Sequence, residues 1–200
     1  IAKHTWRTQE YVRVLAQAVR HSSRYRNTLT DKDIYLMHKA AALHDIGKAG
    51  LPDEILNKPE KLTAEEFEVV KTHPLIASNA LAQAESIYKN SNNTFLKYVR
   101  EICSAHHERW DGTGYPYGLK AEAIPLSARI MAIADVYDAL ITSRDHKSSM
   151  EHEEAVKQII DESDRAFDPY LVGLFEKVHL DFREIAMSSA TERQPSSLMP

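Results

Sequence analysis

The chain has 200 residues, 43% of them hydrophobic and 27% charged, which suits one globular domain with a substantial core. A net charge of −4 argues against a general nucleic-acid binder, although a small phosphate substrate held through cations stays open. The single cysteine, Cys103, excludes an intrachain disulfide and, with no signal peptide or apolar run of spanning length, fits a cytoplasmic setting.

Only six glycines are present, two of them (Gly112 and Gly114) in one short loop, so helices are favoured over a turn-rich β-protein. Tyr11, Val12, Leu15, Ala18 and Val19 recur at helical spacing and predict an amphipathic helix with His4 near its start. Thr30-Asp31-Lys32-Asp33 reads as a capped helix start. The apolar run from Ile34 to Ile46 follows and ends at Gly47, placing His44 and Asp45 in the last turn of a buried helix. Leu51 to Leu62, with Pro52 and Pro59, reads as a loop. Thr63-Ala64-Glu65-Glu66 is a capping box opening a helix that runs to His73-Pro74, where proline imposes a break. Further helices are expected from Leu75 to about Tyr88 and from Phe95 to Ala105, separated by a polar turn over Asn90 to Thr94. The second of these delivers His106 and His107.

Glu108 to Pro125 is the one long irregular stretch, and long loops in compact domains are often functional. Leu126 to Ile141 predicts the most hydrophobic helix and carries Asp135 and Asp138. Two shorter helices are expected over 151–163 and 169–178. The architecture that follows is all-α, a bundle of about seven helices. It forms one domain over 1–182, with a flexible tail over 183–200 rich in Ser, Thr and Pro. The chain starts inside a helical pattern, so an upstream regulatory domain is expected.

His44-Asp45, His73, His106-His107 and Asp135 are the candidate metal ligands. Adjacent residues on a helix point about 100° apart, so a His-Asp doublet can offer one nitrogen to a metal and one carboxylate to two. Asp45 and Asp135 each follow an apolar run, and a buried carboxylate is costly unless paired or coordinated. Mixed His/Asp donors suit iron, manganese, nickel or zinc, and a polynuclear site of this kind serves phosphoester hydrolysis. Lys48, one turn after His44, is placed to stabilise charge on a bound phosphate. His21, His38, His146, His152 and His179 read as ordinary surface or hydrogen-bonded residues.

His44-Asp45-Ile46-Gly47-Lys48 resembles the signature of the HD superfamily of metal-dependent phosphohydrolases. The run from His106 to Pro116, ending in Gly114-Tyr115-Pro116, resembles the extended signature of the HD-GYP branch. Ile124 to Ile130 and Ala134 to Leu140 continue that pattern. The resemblance implies an HD-domain-like fold and a bacterial phosphodiesterase that hydrolyses cyclic di-GMP, to the linear dinucleotide or GMP, by metal-activated hydroxide. It implies two or three divalent ions, iron or manganese favoured, held by His4, His44, Asp45, His73, His106, His107 and Asp135. Asp45 would bridge two metals and, with Lys48, carry the catalytic role. Substrate contacts would fall to Lys48, Arg144, Lys147, Asp138 and Tyr115, with Asp111, Gly114 and Pro116 in support. The Gly-Tyr-Pro loop would also meet partner signalling domains, such as diguanylate cyclases; no DNA partner is expected.

Three departures from the family pattern stand out. A third-metal glutamate one turn before His4 would fall ahead of Ile1. Ala121-Glu122 replaces the usual Gly-Glu pair. Ser163 to Pro169 keeps Phe-Asp-Pro but lacks the preceding glycine and histidine. The competing readings are a silent cyclic-dinucleotide sensor, a protein-interaction module, or a hydrolase of another cyclic dinucleotide.

Overall fold

The computed structural model describes residues 2–26, 28–88, 93–142 and 149–191. Among them are the α-helices α1 (Ala2–His21), α2 (Asp31–Ala41), α3 (Asp53–Leu56), α4 (Ala64–Val70), α5 (His73–Tyr88), α6 (Thr94–Ala105), α7 (Leu126–Ile141), α8 (His152–Asp161) and α9 (Pro169–Thr191). Short 3-10 turns cover Ile46–Gly50 and Ala121–Ala123, and the described residues contain no β-strand. Seven of the α-helices have ten residues or more, so the expected all-α bundle is what forms. No helix among the described residues is long and apolar enough to cross a membrane.

The helix starts are built by side chains that take over orphan backbone donors. Thr30 accepts from the Asp33 N–H and Asp33 accepts in return from the Thr30 N–H, a complete capping box. Thr63 and Glu66 repeat the arrangement at α4. The Asn93 side chain caps α6 through the Phe95 and Leu96 N–H groups.

α7 is the central strut. Eleven of its sixteen residues are buried, Ile130, Met131, Ile133 and Tyr137 among them. α1 packs against α2, α7 and α9, while α6 bridges α2, α5 and α7. The Tyr11 ring stacks on Phe182 at 4.6 Å and meets Tyr137 edge-on at 5.2 Å, tying α1, α7 and α9 together. Each such fully buried large side chain contributes ~1.5–3 kcal/mol through apolar burial.

Several elements differ from expectation: α3 forms within the stretch Leu51 to Leu62 read as a loop, α4 ends at Val70 so that His73-Pro74 opens α5 instead of closing α4, and α2 and α9 end elsewhere. α2 stops at Ala41, and the backbone then tightens, with Leu43 N–H donating to Ala40 and His44 N–H to Ala41. His44 and Asp45 therefore sit on a tight turn just past the helix. The last helix continues to Thr191 instead of ending near 178, because Phe182 is fully buried and Ile185 packs against the core. Part of the expected flexible tail is thus helical, and residues 192–200 lie outside the described residues.

Candidate metal centre

Five elements carry the candidate ligands to one place: α1 brings His4, the turn after α2 brings His44 and Asp45, the start of α5 brings His73, the end of α6 brings the last two histidines, and α7 brings Asp135. His106 and His107 follow the C-terminal end of α6. Gly47 makes the approach of two of these elements feasible. A Cβ there would collide with the His73 carbonyl oxygen, so only glycine lets the 3-10 turn lie on the first turn of α5.

The ligand atoms fall into two groups. Asp45, His73, His106 and His107 form one, and His4, His44 and Asp135 the other, each with all ligand atoms within 4.8 Å of one another. Asp45 stands between them. Its Oδ1 lies 3.3 Å from His73 Nε2 and 3.8 Å from His106 Nε2, while Oδ2 lies 3.4 Å from His44 Nε2. On the other side, His4 Nε2 is 3.4 Å from His44 Nε2, and each is 3.9 Å from Asp135 Oδ1.

Hydrogen bonds aim the imidazoles. Nδ1 of His44 meets the Ala41 carbonyl at 2.9 Å, Nδ1 of His73 meets Val70 at 2.8 Å, and Nδ1 of His106 meets Ile102 at 2.8 Å. With Nδ1–H donating to a carbonyl, each Nε2 keeps its lone pair for the centre. Asp45 Oδ1, His73 Nε2 and His106 Nε2 are buried without a hydrogen-bond partner among the described residues. Buried polar atoms are rarely left so, and converging imidazole nitrogens and carboxylate oxygens are the donor set a divalent ion takes. The residues fit a metal.

The protonation of His106 and His107 agrees with that reading. Burial holds His106 down at about 4. His107 falls to about 2, through burial first and then through His106 and His73 beside it. Both are neutral at physiological pH, the form that ligates. Burial pulls the His44 pKa down, but Asp45 and Asp135 more than offset it and the net shift is upward. Asp45 is pushed up by burial yet held well below the ordinary carboxylate range by His44 and His73.

Lys48 donates to Asp45 Oδ2 at 2.6 Å and is partly exposed. The Tyr115 ring stacks on His107 at 4.7 Å. Gly114 and Pro116 lie in the same loop, where a Cβ on Gly114 would collide with the backbone of Glu108 and Arg109. Asp111 accepts from the Thr113 N–H and hydroxyl and shapes the turn before Gly114. Arg144 and Lys147 lie outside the described residues.

Asp138 corrects a sequence expectation. Its side chain is 1% exposed, paired with Arg7 through both oxygens and 2.8 Å from Nδ1 of His4. A carboxylate so enclosed is not open for the expected substrate contact and lies behind the candidate ligand His4. Arg7 was missed, although its place one turn after His4 on a buried helix face was the available signal. Glu108 was missed as well. It is buried between His107 and the loop, and its two oxygens accept from the Tyr117 and Leu119 N–H groups at 2.7 and 3.0 Å. It thereby anchors the segment that seats Tyr115.

An all-α bundle that gathers five histidines and two aspartates from separate elements, with the His-Asp turn at its centre, is the architecture of an HD-type domain. Residues 1–171 match the HD domain family model, and the chain belongs to that family, in its HD-GYP branch. It is 50% identical over 92% of its length to a cyclic di-GMP phosphodiesterase of Vibrio cholerae, covering 37% of that protein. It is 37% identical over 73% of its length to a 3'3'-cGAMP-specific phosphodiesterase of the same organism, covering 27% of it. Among solved structures, an HDG"Y"P protein from Bdellovibrio bacteriovorus shares the fold with a TM-score of 0.61 at 22% identity, over 88% of this chain and 51% of that one. The chain thus spans well under half the length of these curated relatives.

Proposed function

We propose that this domain is a metal-dependent phosphodiesterase that hydrolyses cyclic di-GMP. The observation that carries the proposal is the pair of ligand groups joined through Asp45, in a chain half identical to a relative named for that activity. His4, His44 and Asp135 would hold one divalent ion, His73, His106 and His107 another, and Asp45 would serve both. Mixed imidazole and carboxylate donors suit iron, manganese, nickel or zinc better than calcium, and the family resemblance puts iron and manganese first. Such ions polarise a phosphoryl oxygen and activate water at neutral pH.

The chain's own residues supply the rest. Lys48 sits beside Asp45 with its ammonium partly exposed, where it can offset charge gathering on the phosphate. Tyr115, fixed on His107, borders the cleft, and Glu108 keeps its loop in place. Arg144 and Lys147 complete the proposed phosphate contacts. The product is the linear dinucleotide or GMP, the setting is cytoplasmic, and signalling domains of the diguanylate cyclase kind are proposed to dock on the Gly-Tyr-Pro loop.

The test is metal content and cyclic di-GMP turnover measured on one anaerobically purified sample. Two or more ions per chain with turnover are expected, and Asp45→Ala is expected to lose both. Wild-type turnover by that variant would sink the proposal, and bound metal with no product under iron, manganese, nickel or zinc would point to a binding module instead. The 3'3'-cGAMP-specific relative motivates a second reading, hydrolysis of a mixed cyclic dinucleotide, which a competition panel of cyclic dinucleotides separates.

A further inference from the structure

A cavity of about 490 Å³ opens off the metal centre, sharing His106 and His107 as part of its wall. The Gly-Tyr-Pro loop closes one side with Arg109 and Tyr115, and α7 and α8 close the other with Val136, Ile159 and Glu162. That volume is in the range of small-molecule sites. The proposed metal centre uses the two histidines, and Tyr115 and Glu108 serve the cleft and its loop, which leaves Arg109, Val136, Ile159 and Glu162 without a role.

Away from the two histidines, its charged groups are paired with one another, which suits a neutral heterocycle. The cavity's arginine is matched by an acid: Nη2 of Arg109 donates to Glu162 at 2.9 Å and its Nε to Thr113 at 3.2 Å, while Arg165 pairs with the other Glu162 oxygen at 3.1 Å, leaving Nη1 of Arg109 and further lone pairs of Glu162 for a ligand. The remaining carboxylate on the wall, Glu108, is occupied by backbone N–H groups of the loop. A donor and an acceptor therefore stand side by side against apolar and aromatic surface. Guanine presents the complementary edge: the acceptors O6 and N7 beside the donors N1–H and N2–H. Arginine is the usual partner of O6 and N7, and a carboxylate accepts from ring and exocyclic N–H groups. Adenine would turn its exocyclic N–H donors toward the guanidinium and an unprotonated ring nitrogen toward the carboxylate.

We infer that this cavity is a guanine subsite in which Arg109 reads O6 and N7, Glu162 reads N1–H and N2–H, and Tyr115 lends ring surface. The inference rests on the reading of the domain as a cyclic-dinucleotide phosphodiesterase and adds which base is recognised, and where. It has a geometric consequence. A guanine seated here fixes which of the two phosphodiesters of a cyclic dinucleotide lies at the metal centre.

The experiment uses 3'3'-cGAMP, whose two phosphodiester bonds are distinguishable in the product. The metal-loaded wild type is expected to open one bond and release one linear dinucleotide. Arg109→Gln and Glu162→Gln are each expected to give both linear products and to raise KM for cyclic di-GMP about tenfold or more, with metal content unchanged. If the pair only pins the loop to α8, the variants lose metal or thermal stability and keep the wild-type product. That result, equal cutting of both bonds by the wild type, or an unchanged KM in both variants would overturn the assignment. A metal-loaded wild type that opens no cyclic dinucleotide at all would instead remove the hydrolase reading on which the subsite rests.

Discussion

Asp138 and Asp135 lie one helical turn apart on α7, yet their carboxylates face different partners. Asp135 looks toward the Nε2 atoms of His4 and His44, whereas Asp138 is held by Arg7 and by the far nitrogen of His4. Burial pushes the Asp138 pKa up, but Arg7 and His4 more than offset it, so the group stays ionised and accepts. Accepting from Nδ1–H leaves His4 Nε2 as a lone-pair donor, the tautomer a metal needs. Asp138→Asn keeps the size and removes the charge that sets this tautomer. We expect metal affinity to fall roughly 10–100-fold, the usual cost of losing a carboxylate behind a ligating histidine. Metal titration against a competing chelator would show it, with circular dichroism as the check that the helices persist. Wild-type affinity in a folded variant would mean that Arg7 and the packing around His4 orient the ring unaided.

At the level of elements, what was legible in the sequence depended on whether the signal was local. The capping boxes at Thr30 and Thr63 are made within four residues, and both helices start where those residues say. α7 was readable end to end because its apolar run is bounded by Pro125. The end of α2 was not, since the apolar run continues through Leu43 and Ile46 while the backbone tightens at Ala41. The role of Asp138 was hidden for a related reason, because its partners lie more than 130 residues away. Ala121 shows the reverse case, a sequence departure with a local physical cost. It stands where the family pattern has glycine, and its φ of 53° is left-handed. That conformation costs a non-glycine residue ~1–2 kcal/mol, whereas glycine brings ~0.5–1 kcal/mol of extra unfolded-state entropy. The first effect is the larger, so Ala121→Gly is expected to stabilise the domain by up to about 1 kcal/mol, read as a higher denaturant midpoint at unchanged slope. A lower midpoint would show that contacts of the Ala121 methyl outweigh the backbone strain.

Three helices of the bundle are also joined by a polar chain. The Tyr137 hydroxyl on α7 meets Nδ1 of His152 on α8 at 2.7 Å, and Nε2 of His152 meets Nδ1 of His179 on α9 at 2.9 Å. With Tyr137 donating to His152 Nδ1 and His152 Nε2–H donating to His179 Nδ1, both contacts are made with His152 neutral. Burial, and then the neighbouring His179, lowers the His152 pKa below its ordinary 6.5; Arg183 on α9 adds to the lowering and Glu153 opposes it. The unfolded chain consequently takes up a proton at this position before the folded chain does. Stability from the chain is present above pH 6.5 and is lost as pH falls below it. His152→Gln replaces the titrating ring with a group that stays neutral. The variant should therefore melt below the parent at about pH 8, where the network is intact, and the gap should narrow as pH is lowered through the histidine range. Thermal melts of both proteins across that range, at fixed metal loading, measure the gap directly. A gap that stays constant or widens toward acid would show that His152 is protonated in the fold and holds its partners as a cation.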